Sequence, residues 1–167
     1  PVNAITNDPT FDWHLTNLSN YIGLQAENRE TITVGDLTLS TFGQGSGMIG
    51  LPGDFSSPAR FVRAVAFANT ALPSATGDEA VFQSFHVLNA FDIPRGAVRD
   101  TGPNTVHTDY TVWSSASDTA SRSYYFKTYN TQAIEKIDVR AALDDLDAPA
   151  VLTMESGFVV RDRTGDL

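Results

Sequence analysis

Apolar residues recur at helical spacing in the first half of the chain and alternate with polar ones in the second. In "NDPTFDWHLTNLSNYIGL" (7–24), Phe11, Leu15, Leu18 and Ile22 follow one another at intervals of four, three and four. That period predicts a helix with these four on its buried face. Ahead of it, "PVNAIT" (1–6) reads as a short strand, and "ETITVGDLTLSTF" (30–42) as a loop or hairpin turning at Val34-Gly35-Asp36-Leu37. A helix over 57–69 is predicted to open with Ser57 as N-cap and Pro58 as first helical residue, where a missing N–H costs nothing. The capping box Thr76-Gly77-Asp78-Glu79 starts another, which runs to 91 and is stopped by "DIPRG".

Beyond this the period changes to two. "TDYTVWSSAS" (108–117), "RSYYFKTYN" (122–130) and "AIEKIDVRAAL" (133–143) are rich in Tyr, Trp, Val and Thr, and short turns join them as an antiparallel meander. The acidic, mixed tail after Asp144 is expected to hold a final strand at 150–154 or 157–161. Helices in the middle with a sheet behind predict an α+β class, helices layered on sheet, with no separate second domain.

Composition narrows the function. The 167 residues suffice for one domain or for half of a larger one, and no apolar run approaches membrane-spanning length. Twenty acidic residues against eleven basic ones give −9, which argues against nucleic acid or an anionic membrane surface as partner. With no cysteine, these residues hold no disulfide, thiolate metal site or thiol nucleophile. The chain opens Pro1-Val2-Asn3 without Met or a leader pattern and already reads as a strand there. A processed chain or a piece of a longer one is the expectation.

The candidate chemistry is local. Gly43, Gly45, Gly47, Gly50 and Gly53 punctuate the approach to Asp54, a density that suits close backbone approach; neither phosphate-binding glycine motif is present. Arg60 sits in the first turn of the helix that follows, where the helix dipole disfavours a cation by a few tenths of a kcal/mol. A salt bridge to Asp54 or Glu79 would account for it, and so would a site. Asn7 lies at a tight strand-to-turn junction beside Asp8, where an Asx-turn is the plain alternative to a functional role. His14, His86 and His107 share no ligand spacing, so no metal is expected. Ser56 and Ser57 lack a nucleophile-elbow pattern and read as capping residues. The acids at 144, 145 and 147 read as a solvated loop, not a calcium loop. Pro1 could serve as a catalytic amine only if it were the true start of the chain. Phe11, Trp13, Phe55 and Phe61 suit either an acyl pocket or the core.

Taken in order, "AITNDPTFDWHLTNLSNYIGL", "GLPGDFSSPARFVRA", "FHVLNAFDIPRGAV", "TDYTVWSSASD" and "YYFKTYN" resemble the second half of the choloylglycine hydrolase family. That family comprises bile salt hydrolases, penicillin V acylases and their relatives. The resemblance covers residues 1–140 or so and rests on several ordered motifs rather than a single one. It implies the C-terminal half of an N-terminal-nucleophile (Ntn) hydrolase, an αββα sandwich that cleaves linear amide C–N bonds without a cofactor. Asn7 in "TNDP" matches the family's oxyanion-hole asparagine and Arg60 in "SPARF" its active-site arginine; Arg63 matches no catalytic position and reads as an ion-pairing partner. The family's nucleophile, an N-terminal Cys whose own α-amino group acts as base, is not among these residues. The implied partners are therefore a small-molecule amide and the N-terminal half of the same enzyme, in a homotetramer, in bacterial periplasm or cytoplasm. An acylase for N-acyl-homoserine lactones and a non-catalytic fragment or scaffold remain open alternatives.

Overall fold

The computed structural model describes residues 2–103, 105–145, 148–154 and 157–166. Pro1 and the acid at 147 thus lie outside the described residues. The chain divides into two compact units, Pro1–Leu72 and Pro73–Leu167.

In the first unit, helix α1 (Phe11–Asn17) runs into a 3-10 turn (Leu18–Tyr21). The buried stripe of this segment is not the predicted one. His14 has no solvent exposure, whereas Phe11, Leu15 and Ile22 are 46%, 38% and 88% exposed. The inward-facing residues His14, Leu18 and Tyr21 keep helical spacing and share only Leu18 with the predicted series. Residues 2–6 form no strand, since no other described segment of the chain pairs with them. Strands β1 (Ile32–Val34) and β2 (Leu37–Leu39) pair antiparallel as a hairpin, with Gly35 at φ +59° in the turn. Helix α2 (Ser57–Thr70) then supplies the core residues Ala59, Phe61 and Val62.

The start of α2 is one residue earlier than predicted. Ser56 is the N-cap, its Oγ accepting from Ala59 N at 3.4 Å, and Pro58 becomes the second helical residue. Asp54 supports this cap: its carboxylate accepts from Ser56 N at 2.9 Å. Hydrogen bonds from Ser56 hold the Asp54 carboxyl below its ordinary value of 3.8.

In the second unit, helix α3 (Gly77–Asn89) opens on the predicted box. Thr76 Oγ1 accepts from Glu79 N at 3.2 Å, and the Glu79 carboxylate reaches back to Ala75 N at 2.8 Å. A hairpin that the pattern did not predict, β3 (Val98–Thr101) with β4 (Val106–Asp109), takes the front of the expected 108–117 strand. The ladder breaks because Thr111 turns to residue 93, donating N–H to Ile93 O and accepting Ile93 N–H on Oγ1. The meander follows as β5 (Trp113–Asp118), β6 (Ser123–Thr128) and β7 (Glu135–Asp138), all antiparallel with β6 in the centre. The expected 133–143 strand stops at Asp138, whose carboxylate accepts from Ala141 N at 2.9 Å and caps helix α4 (Val139–Asp145). No strand forms at 150–154 or 157–161.

Val81 and Phe85 of α3 pack on Tyr125 of β6, with Leu88, Ala116 and Ile134 around them. On the same face of β6 the buried Lys127 donates Nζ to Asn89 Oδ1 and Gln132 Oε1 and pairs with Asp92. One ammonium thus ties the end of α3 to the sheet, each of its protons meeting an oxygen.

Two outcomes follow from these contacts. Lys127→Met should lower the unfolding free energy by about 1–3 kcal/mol, read from the denaturant midpoint, because three acceptors lose their donor. The Asp54 cap is in force above the unfolded carboxylate range and is lost as pH falls through the lower folded value. Asp54→Asn should therefore remove part of the acid-side loss of thermal stability and leave the neutral-to-basic limb unchanged in shape.

Candidate active site

Asn7 and Arg60 are 53 residues apart in sequence and joined by a hydrogen bond: Arg60 Nη2 lies 2.6 Å from Asn7 Oδ1. Ser57 completes a triangle, accepting from Arg60 Nη2 at 2.9 Å and donating from its Oγ to Asn7 Oδ1 at 2.6 Å. Thr6 Oγ1 donates to the same oxygen at 3.2 Å. A guanidinium can only donate, so the amide atom that faces it must be the oxygen. This fixes the amide's orientation. Asn7 Nδ2, with two N–H groups, has no partner among the described residues, and Asn7 is exposed.

The geometry also explains the one-residue shift of the α2 cap. Ser56 serves the helix, and that leaves the Ser57 hydroxyl for the amide. Arg60 is half-buried at the fourth helical position of α2, close to the positive end of the helix dipole. The Asp54 carboxylate, predicted as a salt-bridge partner, is turned instead to Ser56 N. The Asn7 side chain makes no Asx-turn; its oxygen is committed to Arg60, Ser57 and Thr6.

Arg63, expected as an ion-pairing partner, is engaged with backbone. Buried at 4% exposure, it donates Nη1 to two loop carbonyls, Pro52 O and Asp54 O, both at 2.7 Å. Burial pushes its pKa down from the ordinary value, with the Arg60 charge acting the same way and Asp54 opposing. It clamps the loop that leads into α2.

The glycine-rich approach meets the chain itself rather than a phosphate. A Cβ at Gly47 would stand 2.1 Å from Glu27 O, so only glycine allows that packing. Gly45, at φ +89°, and Ser46 direct their N–H groups at Asn28 Oδ1, 2.7 and 3.2 Å away. These two N–H groups are thus met by the chain's own side chain.

Two residues of the site are absent from the sequence-level candidates: Ser57, read there as a cap, and His14, read as an ordinary histidine. His14 Nε2 lies 3.1 Å from Asn7 O, and its ring stacks on Phe61 with centroids 4.6 Å apart. The signal available was position alone, a histidine seven residues after Asn7 and tandem serines before a helix-opening Pro58. Of the four aromatic candidates, Phe61 is core at 1% exposure and Phe55 is half-buried; Phe11 and Trp13 stay half-exposed, in edge contacts with Phe61 and His14. His86 and His107 are exposed.

Comparison with known proteins places the chain. Residues 1–154 match the family model for linear amide C–N hydrolases of the choloylglycine hydrolase family. A bile salt hydrolase/transferase of Clostridium perfringens is 36% identical over 153 residues, 91% of this chain and 45% of that protein. One from Bifidobacterium longum is 37% identical over 134 residues, 80% of this chain and 41% of that protein. The chain thus spans less than half the length of these curated relatives. Among solved structures, a variant of the conjugated bile acid hydrolase from Clostridium perfringens superposes with a TM-score of 0.78 at 30% identity, over 96% of this chain and 48% of that one. A penicillin V acylase from Agrobacterium tumefaciens gives 0.58 at 26% identity, over 81% and 35%. The α+β reading and the Ntn-hydrolase fold both hold. The chain belongs to the choloylglycine hydrolase family of linear amide C–N hydrolases.

Proposed function

We propose that this chain is the C-terminal half of an Ntn amidohydrolase whose cysteine nucleophile lies in the other half, both of its own compact units being parts of that one domain. Asn7 is the oxyanion donor and Arg60 the active-site cation that orients it. The observation that carries this reading is the committed amide: Arg60 and Ser57 hold Oδ1, so both Nδ2 protons face outward. A donor aimed in advance at a developing charge needs no reorganisation at the moment of reaction, and removing one such donor typically costs about 3 kcal/mol.

The chemistry is acyl transfer. The cysteine sulfur attacks the amide carbon after passing its proton to its own α-amino group, and Asn7 Nδ2 donates to the carbonyl oxygen as that gains charge. The tetrahedral intermediate collapses, the C–N bond breaks and the α-ammonium protonates the departing amine. Water then hydrolyses the thioester by the same steps. Arg60 acts through Asn7: without it, the amide is free to rotate and present its oxygen to the substrate.

The substrate is a linear amide of the conjugated bile salt or penicillin V class. Bile salts have the stronger support, since relatives named for them match at 34–37% identity and the bile acid hydrolase fold superposes better than the penicillin V acylase. Assays with a conjugated bile salt, penicillin V and an N-acyl-homoserine lactone separate the classes.

In the complete, processed enzyme, Asn7→Ala should lower kcat by about two to three orders of magnitude with KM nearly unchanged. Near-normal kcat would overturn the assignment, once cleavage before the cysteine has been verified by mass spectrometry. Arg60→Leu should lose nearly all activity and Arg60→Lys only part of it, because the lysine keeps the charge without the planar fork. In the Asn7→Ala background Arg60→Leu should add little, the signature of two residues acting as one unit. Residues 1–167 alone should be inactive and prone to associate through exposed apolar side chains such as Ile22 and Phe42. Co-expression with the nucleophile-bearing half should restore activity; a monodisperse, cooperatively melting chain would contradict the half-domain reading.

A further inference from the structure

His14 is the one titratable side chain with zero solvent exposure among the described residues, and the chemistry above does not use it. We infer that His14 is a positioning residue for the oxyanion donor, fixing the Asn7 backbone as Arg60 fixes its side chain; this rests on the reading of Asn7 given above.

Three features carry it. His14 Nε2 is 3.1 Å from Asn7 O, and since a carbonyl only accepts, Nε2 must carry the hydrogen. Nδ1 is buried with no hydrogen-bond partner among the described residues, so the ring's polar contact is the one to Asn7. The ring plane is set by Phe61, stacked at 4.6 Å and 22°, and by Trp13 edge-on at 5.5 Å and 84°. A residue serving only to fill the core would do better as Leu or Phe, which bury no unmatched nitrogen.

The consequence is a two-point clamp built on consecutive residues of α2. Arg60 holds Asn7 Oδ1 directly, and Phe61 holds the ring that holds Asn7 O. With both ends of the residue anchored, the direction of Nδ2 is determined. A displacement of about 1 Å at a reacting centre can cost around a hundredfold in rate.

The test uses the complete, processed enzyme. His14→Phe keeps the stacked ring and removes the donor; kcat should fall roughly ten- to hundredfold with KM within about twofold. His14→Gln, which returns an N–H near the Nε2 position, should recover most of the loss. If the Phe variant fails to fold, His14→Met, also without a donor, is expected to show the same fall. Nitrogen-15 NMR of the unmodified enzyme should report the Nε2–H form of His14. Wild-type kcat in a folded donor-less variant, with Asn7→Ala impaired, overturns the positioning role alone; so does an Nδ1–H form. Full kcat in Asn7→Ala overturns the oxyanion assignment and the positioning role with it.

Discussion

The hydrogen bond from Arg60 to Asn7 Oδ1 is the constraint on which the site depends. It is short, charge-assisted and closes a loop of 53 residues. Loop closure of that length carries an entropic cost that grows only slowly with the number of residues enclosed. The ordering of the intervening chain is therefore what has to be supplied, and the first unit supplies it in pieces. Arg63 ties down Pro52 and Asp54, Asn28 holds Gly45 and Ser46, and Arg29 binds Ser46 through both its backbone N–H and its Nε.

This explains why so many polar side chains in that unit are directed at backbone rather than at one another. A glycine-rich segment has the largest conformational entropy to lose and no side chains of its own to pack. Its N–H and C=O groups must be met by neighbours, and buried groups left unmet would cost more than the bonds contribute when made. The arginine in a position disfavoured by the helix dipole belongs to the same pattern. A penalty of a few tenths of a kcal/mol is smaller than what a charge-assisted hydrogen bond typically contributes.

The second unit solves a different problem with the same currency. Its central strand β6 is buried through most of its length, and Lys127 brings a charge into it. The ammonium is tolerated because Asn89, Gln132 and Asp92 surround it with oxygens, two of them from neutral amides that require no second buried charge. Tyr129 completes the neighbourhood, its ring edge-on to Tyr110 with the Arg95 guanidinium lying 4.3 Å from the Tyr110 ring centre.

Much of this was legible from residues alone, and the limit falls in a consistent place. Local rules sufficed for α2, α3 and their caps to within two residues, for the β1–β2 turn and for the order of the meander, because caps, turns and alternation act within a few positions. Ordered motifs identified the family and singled out Asn7 and Arg60. At Asp138 a local cap to Ala141 N overrides the strand pattern, but a distant partner decides two other misassigned stretches: residues 2–6 have no strand to pair with among the described residues, and Thr111 leaves the ladder for Ile93. The buried face of α1 was displaced for the same reason, since His14 goes inward to meet Asn7 O and Phe61, and hydropathy has no knowledge of either. The sequence by itself determined which residue types and local elements were available. Only the tertiary structure decided which oxygen each donor meets, because a hydrogen bond's worth depends on geometry and burial set by residues dozens of positions away.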